Sequence, residues 1–261
     1  MIPNLTGKIA LITGAGSGLG QAIAEGLAEH GAELILVGRR ENKLESTRRA
    51  ILSKGGKARV YAADVSRIEE VERLKAAIFQ EAGAPSIVVN AAGMYGEIQP
   101  IRDSDPALWI QTLLTNTAGP YLISRAFVGE MIRAGWGRIV NLSSAASLAG
   151  PNPKNSAYAV SKAALNLFTR QLAAEVEGTG VTANVMHPGE VKTEMFEFIK
   201  EASAKEGDMA GWVKRVEETG GDSPEKTVQL ILELTGPGSE QVNGRFLWIR
   251  NGLKEPLPSW D

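Results

Sequence analysis

A chain of 261 residues, 43% hydrophobic and 22% charged, is long enough for a substantial core and has the composition of an ordinary globular domain. Its formal net charge of -2 gives no reason to expect nucleic acid or an anionic membrane surface as partner. There is no cysteine, which excludes disulfides, thiolate catalysis and Cys-ligated zinc, and with only His30 and His187 no metal site is expected.

The N-terminal MIPNLTGKIALITGAGSG lacks a basic segment, and its short apolar run breaks into glycines, so it reads as a strand and not as a signal peptide. No apolar run approaches the roughly 20 residues that span a bilayer, and a cytoplasmic location is expected. Strand-length apolar runs occur at Ile9–Thr13, Leu34–Val37, Arg59–Ala62, Ile87–Asn90, Ile139–Leu142, Val181–Met186 and Phe246–Ile249. Between them helical patterns cover Leu19–Glu29, Lys43–Leu52, Ile68–Glu81, Pro106–Arg133, Ala157–Glu177 and Pro224–Leu234. Continuous apolar strands alternating with helices imply parallel pairing through right-handed crossovers. The expected fold is α/β, a single Rossmann-like doubly wound parallel sheet of about seven strands with helices on both faces.

One interval breaks this rhythm. From about residue 190 to residue 222 there is no strand, and Phe196, Ile199, Met209, Trp212, Val213 and Val216 suggest short amphipathic helices. A long excursion of this kind reads as a substrate lid, with a helical insertion packed on the surface as the alternative. Residues 252–261 hold two prolines and Trp260 and read as an extended tail, docked on its own subunit or on a neighbour.

Three segments carry chemistry. First, Gly14, Gly16, Gly18 and Gly20 follow the first strand and open the first helix, with Ser17 and Leu19 between them. Such a turn lets backbone N–H groups and the helix N-terminus approach a pyrophosphate. The spacing differs from G-x-G-x-x-G and is not a Walker A loop. Second, the next strand ends in Gly38, Arg39 and Arg40, where an NAD-binding domain places a carboxylate against the ribose. Guanidinium pairs with a 2′-phosphate, so NADP(H) is favoured, with NAD(H) possible. Third, Tyr158 and Lys162 lie one helical turn apart on one face. An ammonium there is expected to lower the phenol pKa and make a general acid–base group.

Taken together these pieces resemble the short-chain dehydrogenase/reductase family, in the family's order and over nearly the whole chain. Thr13-Gly14-x-x-x-Gly18-x-Gly20 is similar to its cofactor loop, and Asp64-Val65 to its adenine-contacting pair. Asn90-Ala91-Ala92-Gly93 resembles its Asn-Asn-Ala-Gly motif with one Asn replaced. Asn116, Ser144, Tyr158 and Lys162 match its catalytic positions, and Pro188-Gly189-Glu190-Val191-Lys192-Thr193 the segment that walls the nicotinamide.

The resemblance implies an NAD(P)-dependent oxidoreductase of a small carbonyl/alcohol pair. Tyr158 would exchange the proton, Lys162 would depress its pKa and hold the nicotinamide ribose, and Ser144 would hold the substrate oxygen. Asn116 would position a water linking Lys162 to solvent. Ser144 is preferred over Ser143 and Ser147, which are expected to satisfy loop backbone; His187 is expected to be structural, and His30 a helix-end residue. A ketone or 3-oxoacyl reductase leads, with a sugar or polyol dehydrogenase as alternative. A non-catalytic cofactor-binding protein and an epimerase or dehydratase are the other classes. The resemblance also implies a homo-oligomer, a dimer or tetramer through the two long helices, with Leu165, Phe168 and Leu172 serving that contact or the subunit's own core.

Overall fold

The computed structural model describes residues 3–148, 153–206 and 209–253. Its first half runs β1 (Ile9–Thr13), α1 (Gly18–Glu29), β2 (Glu33–Gly38), α2 (Glu41–Ser53), β3 (Lys57–Ala62), α3 (Ile68–Glu81) and β4 (Ile87–Asn90). Then come α4 (Pro106–Leu113), α5 (Gly119–Arg133), β5 (Gly137–Leu142), α6 (Ser156–Glu175) and β6 (Val181–His187). The chain closes with α7 (Glu194–Glu206), α8 (Ala210–Thr219), α9 (Pro224–Thr235) and β7 (Phe246–Trp248). Among the described residues the strands form one seven-stranded sheet, ordered β3-β2-β1-β4-β5-β6-β7 and parallel throughout.

Alternate strand residues feed two cores, because successive side chains point to opposite faces. Ala10, Ile12, Leu34, Leu36, Val89 and Val140 pack with Ile23 and Leu27 of α1 and with Leu230 and Ile231 of α9. Leu11, Ile35, Val37, Val88 and Ile139 pack on the other face with Ile78 of α3 and with Ile123 and Phe127 of α5. The order reverses between β1 and β4, and a crevice opens beyond the carboxyl ends of strands at such a switch point.

Most expected elements are present, with shifted ends. β3 starts at Lys57 and α2 at Glu41, while β7 stops at Trp248. The largest difference is the helix expected over Pro106–Arg133. A π-turn at Leu114–Ala118 divides it into α4 and α5. Pro120 explains the break: it has no N–H for the carbonyl of Asn116, and its ring crowds that carbonyl. The wider turn is the kind that often marks functional sites.

Leu165 and Leu172 are buried inside the subunit, while Phe168 is half-buried, packing on the same core as Leu172 and edge-on against exposed Tyr121. Of the expected tail, Gly252 and Leu253 are described, and Leu253 packs on the main core. Trp260 lies outside the described residues. No helix among the described residues is long and apolar enough to cross a membrane.

Phe127 is fully buried and meets Phe79 with ring centroids 5.8 Å apart. Phe127→Ala is expected to cost about 3–5 kcal/mol in urea unfolding, the usual scale for an aromatic removed from a core that cannot collapse. A loss under about 1 kcal/mol would show that α5 does not lock this face of the sheet.

Candidate active site

A cleft of about 1060 Å³ runs across the carboxyl ends of the central strands. It takes in the glycine loop, the end of β2, the end of β4, the loop after β5, the N-terminal end of α6 and the 190–222 segment. Every expected site residue lines it except Asn90 and Asn116, which lie beneath its floor.

At one end the glycine loop crosses close to β4. A Cβ on Gly14, whose φ is +66°, would come 2.9 Å from Ala92, and one on Gly20 would come 2.2 Å from the Gly14 carbonyl oxygen. Only glycine allows this turn. Thr13 Oγ1 accepts from the N–H groups of Ala91 and Ala92 at 3.1 and 3.0 Å, pinning the loop to the end of β4. The Ser17 side chain makes no cap to α1, so the first N–H groups of that helix remain directed at the cleft. This is the donor arrangement a pyrophosphate takes. Arg39 and Arg40 stand beside it at the end of β2, both exposed. Asp64 accepts from Ser66 N and Oγ, closing a turn that carries Val65 to the cleft. The loop, the free helix end and the paired guanidiniums fit a dinucleotide carrying a 2′-phosphate.

At the other end lie Tyr158 and Lys162. Both are buried on α6, with Lys162 Nζ 5.6 Å from the Tyr158 ring centre. The ammonium donates to the Leu142 carbonyl, at the end of β5, at 2.8 Å. Burial lowers the Lys162 pKa to about 8. Burial also raises the Tyr158 phenol to about 12, against the pull of its hydrogen bond with Ser144, while Tyr95 adds to the rise. The sequence expectation of a depressed Tyr pKa is therefore not met in this form of the protein. Desolvation disfavours phenolate and ammonium alike, and here it is the largest cause of both shifts.

The shell around this pair is polar and largely satisfied. Asn116, delivered by the π-turn, accepts from Met94 N at 2.9 Å. It donates to Met94 O at 2.8 Å and to Ser161 Oγ at 3.0 Å. A Cβ on Gly93 would stand 3.4 Å from Asn116 Oδ1 and 3.7 Å from Lys162 Nζ, so a bare backbone leaves this space open. Asn90 lies one layer lower. Its Nδ2 donates to Asn141 at 2.8 Å and its buried Oδ1 has no partner.

The serine assignments divide as follows. Ser144 caps a short turn, accepting from Ala146 N at 3.2 Å, and also bonds Tyr158. Ser147 donates to the Ser144 carbonyl, as expected of a loop-satisfying residue. Ser143 differs from expectation: it donates to the Asn166 side chain at 2.6 Å, not to loop backbone. His187 is buried, its Nδ1 accepting from Ala145 N at 3.3 Å, so its proton sits on Nε2. Burial lowers its pKa to about 4, so it is neutral near pH 7. It packs edge-on against Trp248 and holds the loop that carries Ser144. His30 is the last-turn residue of α1, as expected.

Sequence reasoning missed Tyr95. Its ring stacks on Tyr158, centroids 4.5 Å apart and planes 25° off parallel, and is itself buried. Only its place directly after the Asn90–Met94 segment could have flagged it. The segment expected to be a lid packs over this pair. Phe196, Ile199, Val213 and Val216 pack with Tyr95, Ile98 and Tyr158. The two ends of the lid are clasped: Asp222 N donates to Glu190 O at 2.9 Å, and Glu190 N donates to Asp222 Oδ2 at 3.1 Å.

The buried lysine has a consequence for stability. An unfolded lysine keeps its ordinary pKa of about 10.5, against about 8 in the fold. Between those values the unfolded state holds the extra proton, so stability rises with pH. Without cofactor, wild-type protein is expected to gain on the order of 1 kcal/mol per pH unit more than Lys162→Met between about pH 8 and about pH 9.5. Denaturant unfolding at the two pH values checks this, and parallel curves would contradict it.

Residues 8–204 match the profile described as short chain dehydrogenase. The chain is 36% identical over 251 residues to galactitol 2-dehydrogenase (L-tagatose-forming) of Cereibacter sphaeroides, covering 95% of each chain. It is 37% identical over 199 residues to the 3-oxoacyl-acyl-carrier-protein reductase FabG of Pseudomonas aeruginosa, covering 76% of this chain and 80% of that one. A short chain dehydrogenase of Pseudocercospora fijiensis is 36% identical over 193 residues, 73% of this chain and 62% of the relative's length. Among solved structures, L-sorbose reductase of Gluconobacter frateurii with NADPH and L-sorbose superposes with a TM-score of 0.85 at 28% identity, covering 98% of this chain and 100% of that one. The chain belongs to the short-chain dehydrogenase/reductase family and is an NAD(P)-dependent oxidoreductase.

Proposed function

We propose that this protein is an NADP(H)-preferring reductase of a ketone or 3-oxoacyl substrate, with Tyr158 as its general acid–base group. The observation that carries the reading is the Tyr158 hydroxyl itself: buried, hydrogen-bonded with Ser144 and seated under an aromatic and aliphatic lid. A phenol kept protonated there is set to give a proton to a carbonyl oxygen. The nicotinamide, when bound, supplies the hydride to the carbon. Ser144 Oγ shares the substrate oxygen and stabilises charge as it develops. Lys162, one turn along α6, stabilises the phenolate left behind and returns its proton. Asn116, buried beside this pair, would position the water expected to relay that proton from solvent.

The lid favours an apolar substrate body. Tyr95, Phe196, Ile199 and Trp212 line the cleft beside Tyr158, and FabG of Pseudomonas aeruginosa, a 3-oxoacyl reductase by name, is among the relatives. A sugar or polyol dehydrogenase is the second reading. Glu190 and Arg215, paired at 2.5 Å, make one stretch of the cleft polar, and a galactitol dehydrogenase is also a relative.

NADP(H) is preferred over NAD(H) because Arg39 and Arg40 occupy the ribose end, and solved relatives hold NADPH. The remaining site assignments follow from the cleft: Gly14, Ser17, Gly18, Leu19 and Gly20 for the pyrophosphate, and Asp64 and Val65 for the adenine. Ala91 and Gly93 would face the nicotinamide ribose, and Pro188, Gly189, Val191 and Thr193 the nicotinamide. A cytoplasmic homo-oligomer accompanies this reading. Exposed Ile110, Leu114, Tyr121, Val160 and Leu167 on and between α4, α5 and α6 supply the apolar area.

Tyr158→Phe is expected to leave nicotinamide cofactor binding intact and to lower turnover by about 10²-fold or more, measured by nicotinamide absorbance over a carbonyl panel. Near-normal turnover would remove Tyr158 from the mechanism. Arg39→Ala is expected to weaken NADPH more than NADH; equal losses would argue against a 2′-phosphate contact.

A further inference from the structure

The guanidinium assigned above to a 2′-phosphate already has an anion on it. Arg40 Nη2 lies 2.7 Å from Glu194 Oε2 and 2.9 Å from Ser17 Oγ. Ser17 Oγ in turn donates to the same carboxylate oxygen at 3.3 Å, and Lys43 Nζ stands 3.7 Å from the other. Glu194 is therefore ringed by a guanidinium, an ammonium and a hydroxyl. That donor set is the one a phosphate monoester takes. The Arg40 hydrogen bond, ahead of smaller contributions from Ser17 and Lys43, lowers the Glu194 pKa and keeps it ionised.

The partners come from three separate places. Ser17 belongs to the glycine loop, Arg40 and Lys43 to the start of α2, and Glu194 is the first residue of α7 in the lid. The lid root also touches the loop directly, since a Cβ on Gly18 would meet the Thr193 methyl at 3.2 Å. A carboxylate at the first turn of α7 further suits the helix dipole. The pair is about half exposed on both sides, and ion pairs of that kind are weak and readily exchanged. A dianionic ligand can displace it.

We propose that Glu194 determines cofactor preference by occupying the 2′-phosphate subsite from the lid. NADPH must push this carboxylate off Arg40, which frees the first turn of α7. NADH carries no competing anion and leaves the latch closed. The same contact thus lowers affinity for NADPH and ties the adenosine end of the cleft to the lid over the substrate. This rests on the reading of Arg40 as a 2′-phosphate ligand.

The test is direct binding of NADPH and NADH, followed by nicotinamide fluorescence, to wild type, Glu194→Gln and Arg40→Ala. Glu194→Gln is expected to tighten NADPH about 3- to 10-fold and to leave NADH within about twofold, the gain shrinking as salt is raised. Amide hydrogen exchange over residues 194–198 is expected to rise with NADPH and not with NADH. If Arg40→Ala weakens NADPH selectively while Glu194→Gln leaves the NADPH-to-NADH affinity ratio unchanged, the latch is overturned and the NADP reading stands. If Arg40→Ala weakens both cofactors equally, both are overturned. If wild type binds neither cofactor, the assignment of the cleft itself fails, and the latch with it.

Discussion

An ammonium with 5% of its surface exposed and a backbone carbonyl as its hydrogen-bond partner is the constraint around which the site is arranged. Burying a lysine costs several kcal/mol unless polar groups surround it. The fold answers by converging three elements on Lys162. β5 ends so that the Leu142 carbonyl accepts from Nζ. The π-turn between α4 and α5 brings Asn116 under the site, and Gly93, which carries no side chain, lies beside both Asn116 and Lys162. Desolvation moves the pKa values of Lys162 and Tyr158 apart, to about 8 and about 12, and so keeps the proton on the phenol while making the ammonium the readier of the two to give one up. The phenol then needs a change in its surroundings to ionise, which a substrate oxygen and a nicotinamide bound at the same place would provide.

The two ends of the cleft are joined by the lid as well as by the sheet. At the catalytic end the lid buries Phe196 and Val216 against Tyr95 and Tyr158. At the other end Glu194, the first residue of α7, reaches Arg40, 154 positions earlier in sequence. Glu190 and Asp222 bond each other where this segment leaves and rejoins the domain, with α7 and α8 between them.

Much of this was legible in sequence for identifiable reasons. β1, β4, β5 and β6 are covered on both faces, so their apolar runs stand out without alternation. The glycines at 14 and 20 mark a loop because no other residue tolerates the approach to Ala92 and to the Gly14 carbonyl, and Gly18 adds a φ of +53°. Tyr158 and Lys162 show through their spacing. The break at Leu114–Ala118 was also written in Pro120, but a strong apolar pattern on both sides concealed it. Other features were not readable. Tyr95 and Glu194 act through contacts made only after folding, and nothing local distinguishes them from a core aromatic and a helix-start carboxylate. Leu165 and Leu172 face inward while Leu167 faces out, a choice that depends on which side of α6 meets the sheet. The phenol pKa was misjudged because spacing reports proximity to a charge and not the depth at which both groups are buried.

The account stands on burial controlling the proton-transfer pair, and the most direct measurement is the ionisation of Lys162 itself. With ¹³C-labelled lysine, the Cε resonance that disappears in Lys162→Met can be followed against pH in cofactor-free protein. A midpoint near 8, well below those of the exposed lysines, is the result this structure requires. A midpoint at the ordinary lysine value of about 10.5 would show that the ammonium is solvated and that the site is not organised by its burial.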